Sequence, residues 1–203
     1  MNHALPIIVL AVLSFSAVAQ EEFSITFGDI NGTVTTGAVL SVEVFGDSTF
    51  GTHMMGGGFG VSAITNNFEI LDMNWSNAGW SAFNTDGGHN GGGNYESVIF
   101  WQLLGTGVPP FDQPATGSEI GNRIGTFQIE VGQLGSFWSL DLQIVEVASF
   151  PFSLEVLENH YGIIMNDTQG NLTLGSASVE FIPAPSGLVT FCIADLAATR
   201  RRR

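Results

Sequence analysis

Apolar and polar residues alternate with a period of two over much of this chain. Residues 23–27 read FSITF, and residues 39–45 read VLSVEVF, with Val42 and Val44 on one face and Ser41, Glu43 and Phe45 on the other. Successive side chains of a strand point to opposite sides of a sheet, so each run predicts a strand with one buried face. Residues 60–64, 68–73, 97–104 and 125–131 continue the series. The longest run, 137–147, sets Trp138, Leu140, Leu142, Ile144 and Glu146 on a single side. Residues 152–157, 162–165, 171–174 and 176–182 complete it. No segment carries a sustained helical stripe bounded by caps, and only residues 152–161 read as either helix or strand. Short β-branched and aromatic runs separated by Gly, Asn, Asp and Pro predict an all-β protein, an antiparallel β-sandwich with little helix. The absence of a fixed-period repeat argues against a solenoid or propeller.

The alternation stops twice. Residues 105–122 hold Pro109, Pro110 and Pro114 and few apolar side chains, so they read as a surface loop. From Met73 to Glu96 the chain is rich in glycine and asparagine but carries Trp75, Trp80, Phe83 and Tyr95. An irregular stretch that long inside one domain points to function or disorder. Its aromatic rings beside amide groups fit a sugar-stacking platform, while buried tryptophans plugging the end of the core are the competing reading. The same stretch offers Asn84 and Asp86 followed by Gly87-Gly88, with Glu96 near in sequence. Calcium takes six to eight oxygen ligands on a backbone that can wrap it, so these three residues form a possible calcium set, alongside a structural turn. Asp29, Asn31 and the Asn166-Asp167 pair are weaker versions of the same pattern. His53-Met54-Met55 has the soft donors copper prefers, although exposed loop residues explain it as well. No nucleophile-elbow, zinc-protease or phosphate-loop motif occurs.

Charge narrows the partners. The 203-residue chain has five Lys and Arg against nineteen Asp and Glu. Between residues 20 and 182 only Arg123 opposes eighteen carboxylates, a formal charge of −17. Such a surface repels phosphate backbones, which excludes nucleic-acid binding, and draws cations. So many carboxylates guarantee that some pair stands at glycosidase spacing, so their number alone discriminates nothing. The single cysteine, Cys192, lies near the C-terminus, so the central region has neither a disulfide nor a cysteine nucleophile.

The two ends read as addresses. Residues 5–15 are apolar and Ala17-Val18-Ala19 is a small-residue cleavage site, so residues 1–19 are expected to be a signal peptide. Residues 20–181 then make one sandwich domain, large enough to fold without staples. Residues 182–203 read IPAPSGLVTFCIADLAATRRRR: Pro183-Ala184-Pro185, a short apolar run, then Arg200, Arg201, Arg202 and Arg203. That order resembles the PEP-CTERM sorting tail of bacterial surface proteins, in a Pro-Ala-Pro variant. The resemblance implies an exosortase-type sorting enzyme as partner, a short C-terminal hydrophobic helix, transient membrane tethering, and a stop-transfer role for the arginines. The strand layout, with GTFQIEV at 125–131, resembles a cohesin-type or jelly-roll sandwich.

Three functions remain at this point. The first is an exported, tail-sorted structural or adhesive protein of the cell surface or extracellular polysaccharide matrix, without catalysis and without a required cofactor. The second is a carbohydrate-binding module using the aromatic residues of 74–95. The third is a glycoside hydrolase.

Overall fold

The computed structural model describes residues 21–32, 35–103, 113–135, 137–157 and 164–181. The expected signal peptide and the sorting tail with its hydrophobic helix lie outside the described residues.

Among the described residues twelve strands follow in chain order: β1 (Glu22–Asn31), β2 (Val39–Ser48), β3 (His53–Asn66), β4 (Ile70–Asn77), β5 (Phe83–Asp86), β6 (Asn94–Trp101), β7 (Arg123–Val131), β8 (Trp138–Val145), β9 (Glu155–Leu157), β10 (Ile164–Asn166), β11 (Asn171–Leu174) and β12 (Ser176–Phe181). A single 3-10 turn, Asp167–Gln169, separates β10 from β11, and no α-helix occurs among the described residues. The chain forms a five-stranded sheet in the order β11-β1-β2-β7-β4 and a seven-stranded sheet around the long strand β3. One edge of β3 pairs first with β9 and then with β8, while β6 takes the other edge. β5, β12 and β10 complete that sheet outside β6, β8 and β9 respectively.

The period-two readings place the core correctly where alternation was clean. Phe23, Ile25, Leu40, Val42, Val44 and Phe127 from the five-stranded sheet are buried against Phe59, Val61, Leu140, Leu142 and Ile144 from the other. Aromatic edges cross the interface: Phe59 meets Phe127 at 6.4 Å and Trp75 at 5.6 Å between ring centroids, and Tyr95 meets Phe127 at 5.0 Å. Glu146 is exposed beyond the end of β8 and does not join the buried face of that strand.

Three expectations change. The sandwich is not wholly antiparallel, because β1 and β11 run parallel. The chain then changes sheets at Gly175, whose N–H donates to Ile25 at 2.8 Å while its carbonyl accepts from Ile144 at 3.0 Å. A Cβ there would lie 2.9 Å from the Thr26 Cα, so only glycine fits the corner. Second, β3 begins at His53 rather than Gly60, with Met54 and Met55 buried in its first turn-free half. Three glycines in a row hid the alternation, since they carry no side chains to display it. Third, residues 73–96 are not one irregular loop: β4 runs on to Asn77, β5 takes Phe83–Asp86 and β6 begins at Asn94, leaving 78–82 and 87–93 as the connections. A β-bulge explains why the strand expected from residue 97 in fact starts at Asn94. Glu96 and Ser97 together oppose Gly60, between the pairs Phe59↔Val98 and Val61↔Tyr95, so Tyr95 and Val98 both face the core three residues apart.

Candidate functional site: the outer face of the seven-stranded sheet

The aromatic residues singled out in the sequence do not share one surface. Trp80 is buried, its Nε1–H donating to the Arg123 carbonyl at 2.9 Å and its ring meeting Phe100 at 5.9 Å. Trp75 is half-buried between Phe59 and Phe127, with its indole N–H on Asn77. Tyr95 is buried as well, and its hydroxyl donates to the Asp86 carboxylate. Burial first, and that carboxylate second, push the Tyr95 phenol well above its ordinary range. Phe83 alone of the four is exposed, at 52 %. The competing reading of the tryptophans, as core plugs, describes Trp80 and Trp75.

The proposed calcium set is likewise spoken for in part. Asp86 also accepts from the Gly88 N–H at 2.7 Å, Asn84 is engaged with the Ser81 hydroxyl at 2.9 Å, and Glu96 is exposed on the bulge. No group of three His, Cys, Asp or Glu side chains gathers among the described residues. Asn166 caps the 3-10 turn, and Asn31 donates to the Asp29 carbonyl at 3.0 Å. His53 contacts Thr52 at 3.0 Å, apart from His89, which faces Asp72 at 3.7 Å.

What does gather is a face that sequence reasoning passed over. In β3, Phe59, Val61 and Ala63 point inward, so Gly56, Gly58 and Gly60 present their bare backbone outward. Across the sheet, Gly56 stands beside Trp101 and Trp101 beside Phe83. One step along, Gly58 stands beside Ile99 and Ile99 beside Thr85. Paired residues project from the same side of a sheet, so Phe83 on β5 and Trp101 and Ile99 on β6 share one outward patch beside the glycines of β3.

The segment between β8 and β9 folds back onto the glycine floor. Phe150 and Phe152 pack at 4.9 Å from each other and at 6.2 and 5.9 Å from Trp101. Gly58 N–H donates to the Phe152 carbonyl at 3.2 Å. These positions must be glycine: on the outward side a Cβ at Gly56 would lie 2.3 Å from the Trp101 ring and one at Gly58 would lie 2.9 Å from the Phe150 Cβ, while on the inward side one at Gly57 would lie 1.9 Å from the Ser153 carbonyl oxygen. The flap is held from behind by Asp167, whose carboxylate accepts from Ser153 N–H at 3.0 and 3.1 Å and from Leu154 N–H at 3.4 Å. An open cleft of about 410 Å³ runs between flap and 3-10 turn, lined by Glu146, Phe150, Phe152, Asp167, Thr168 and Asn171. At the flap's root Glu155 is 7 % exposed, and burial pushes its carboxyl above the usual range against a smaller opposing bond from Asn166.

The outer face of the five-stranded sheet is different in kind. Arg123 pairs with Glu43 at 2.6 Å, Gln128 with Ser41 at 3.2 Å, and Asn74 with Asp72 at 2.8 Å. Apart from Val39 and Phe45, that surface is polar and internally paired.

No protein-family model and no curated protein matches the chain. Solved structures similar to it are cohesin modules. One is in the crystal structure of a type I cohesin–dockerin complex from Clostridium thermocellum, 12% identical, covering 76% of this chain and 96% of that one, with a TM-score of 0.47. A second is the seventh ScaB type I cohesin from Pseudobacteroides cellulosolvens, 15% identical, covering 81% and 95%, with a TM-score of 0.43. A third is the cohesin module of a family 33 glycoside hydrolase from Clostridium perfringens, 12% identical, covering 80% and 97%, with a TM-score of 0.39.

A signal for the outer face did exist in the sequence. The run Gly56-Gly57-Gly58 and the pair Phe150, Phe152 each break the alternation, and a glycine inside a strand marks close approach by another segment. Only the fold says which segment.

Proposed function

We propose that this chain is an exported, non-catalytic surface or matrix module that binds a protein partner through the outer face of its seven-stranded sheet. One observation carries the reading: Phe83, Trp101, Ile99, Phe150 and Phe152 lie together on one outward face, while the opposite outward face is polar and internally paired. Contiguous exposed apolar surface with an aromatic centre is what protein interfaces use. The surrounding acidity calls for a partner whose rim is basic, which also speeds encounter. Residues 1–19, 20–181 and 182–203 are proposed as signal peptide, domain and sorting tail on the sequence features alone, with Pro183, Ala184, Pro185 and Arg200–Arg203 as the elements an exosortase-type enzyme and the membrane would read.

The test is retention of extracellular material on immobilised protein, with the matrix of the source cells separated into protein and polysaccharide fractions. Phe83→Ser should lower retention of the protein fraction at least tenfold while the unfolding midpoint stays near that of the parent, and Trp101→Ala should lower it as far with a lower midpoint, since it also removes the ring contacts to Phe150 and Phe152. Retention of polysaccharide that disappears with the same substitutions would favour the carbohydrate-binding alternative. Retention unaffected by both would remove the face from consideration. The tail is tested separately: Arg200–Arg203 changed to Ser should yield unprocessed, prematurely released protein, and normal processing would refute the sorting assignment.

A further inference from the structure

The five-stranded sheet bears a cleft that its own polar pairing does not fill. Along β2 the core residue Val44 precedes Phe45, so Phe45 projects outward. It is half-buried because Gly28 on β1 gives its ring a seat: a Cβ at Gly28 would lie 2.9 Å from the ring edge. On the other side of Phe45 the register of β2 and β7 slips between Val44 and Phe45. Ile124 is the extra residue of this β-bulge and turns into the core, which brings Arg123 beside Phe45 on the outward side. Arg123 then pairs with Glu43, the previous outward residue of β2, at 2.6 Å.

Two connections raise walls around this row. After β4 the Ala78 N–H donates to the Ile124 carbonyl at 2.8 Å, and the Trp80 Nε1–H donates to the Arg123 carbonyl at 2.9 Å. These bonds hold residues 78–80 against β7 and leave Gly79 exposed, with nothing within 4 Å of a Cβ there. Before β7, Gly117 takes a φ of +94°, and a Cβ on it would lie 3.9 Å from the Trp80 ring, which sets the exposed Thr116 at the rim. The result is one open cleft of about 410 Å³ whose lining includes Glu43, Phe45, Gly79, Thr116, Asn122 and Arg123. That volume falls within the ~300–1,000 Å³ of small-ligand sites.

The lining is chemically mixed and close to neutral. Arg123 is the one Lys or Arg among the described residues, and Glu43 matches its charge. The two side chains are 49 and 40 % exposed, and one guanidinium N–H is engaged on Glu43, so both groups keep further donors and acceptors for a ligand. Asn122 Nδ2 donates to Glu119 at 2.7 Å, so its amide oxygen and the Thr116 hydroxyl add acceptors. An anion would meet Glu43 in a strongly acidic domain, and a cation would meet Arg123. Neighbouring hydroxyls, each both donor and acceptor, satisfy such a lining, and the C–H face of a sugar ring suits the Phe45 ring.

We propose that this cleft binds a neutral glycan, with Phe45 as the stacking ring and Arg123, Glu43 and Asn122 as hydrogen-bonding partners of its hydroxyls. It lies on the sheet opposite the protein-binding face and does not rest on that reading. Trp80 serves here as the buried support of the 78–80 wall, not as a stacking ring.

The test is titration of the isotope-labelled full chain with cellotriose, xylotriose, mannotriose and chitotriose. Nuclear magnetic resonance follows the amide signals of Gly79 and Gly117 and the Arg123 Nε–H. At least one of these neutral sugars should shift all three signals with a millimolar or tighter dissociation constant. Gly79→Leu fills open space without touching the core, so it should weaken that binding at least tenfold with an unchanged unfolding midpoint. Arg123→Gln should weaken it as far. Phe83→Ser, on the other sheet, should leave it within twofold, which separates failure here from failure of the protein-binding reading. Silence of these signals with all four sugars overturns the proposal, as does binding that survives Gly79→Leu. Tighter binding of trigalacturonate than of any neutral sugar would mark a carboxylate site at Arg123, and shifts confined to the Trp101 face would place sugar there; either result overturns it.

Discussion

Gly57→Ala changes one hydrogen for a methyl group and should be among the most damaging small substitutions in this fold. The added Cβ would lie 1.9 Å from the Ser153 carbonyl oxygen and 2.7 Å from its carbon, where the nearest ordinary contact is above 3.4 Å. Both obstacles are backbone, so the flap as a whole must retreat. Retreat breaks the Gly58–Phe152 hydrogen bond and pulls Ser153 and Leu154 away from the Asp167 carboxylate. Overpacking alone costs roughly 1–3 kcal/mol. Hydrogen bonds to a charged group add roughly 1.5–3 kcal/mol. A total of about 3–5 kcal/mol lowers the melting temperature of a domain this size by roughly 10–15 °C. Gly79→Ala is the control, because nothing lies within 4 Å of its Cβ position and its backbone is not left-handed. That change should be neutral or stabilise by up to about 1 kcal/mol through the unfolded chain. Thermal unfolding of the full chain followed by circular dichroism reads both. Equal midpoints for the two alanine variants would refute the glycine-floor account, and a Gly57 variant that melts early should also lose partner retention.

Three further outcomes follow from groups already described. Tyr95→Phe should cost about 1–2 kcal/mol at neutral pH by removing the hydroxyl held on Asp86. Because the folded state holds this phenol protonated, its contribution is complete below the ordinary phenol range near ~10 and fades as the unfolded chain ionises above it; the parent should therefore destabilise more steeply than Tyr95→Phe between pH 10 and 12. Glu155 is raised by burial, so its ionised form is penalised in the fold: Glu155→Gln should raise the melting temperature at pH 7, and the gain should fade as pH drops through the ordinary carboxyl range and vanish by about pH 3, where both states carry the neutral acid. Trp80→Ala should destabilise by about 3–5 kcal/mol in urea unfolding, as expected for a buried aromatic and not for a surface sugar contact.

Alternation was enough to locate β1, β2, β7 and β8 and to assign their buried faces, because there most inward positions carry a large apolar side chain and most outward ones are polar. Charge and cysteine content likewise belong to the sequence alone: an acidic domain with Arg123 as its lone strong cation has that property in any fold. The tertiary structure decided what happens where the pattern breaks. In β3 the glycines show no face of their own, and their meaning lies in the flap about a hundred residues later that rests on them. In β6 one extra residue turns Tyr95 into the core and leaves Glu96 outside, which converts a polar-looking loop into a strand. Trp75, Trp80, Phe83 and Tyr95 are alike on paper, yet three serve the interior and one the surface. Local sequence sets which side chains must leave water; long-range register and sheet crossing, as at Gly175, set where they can go.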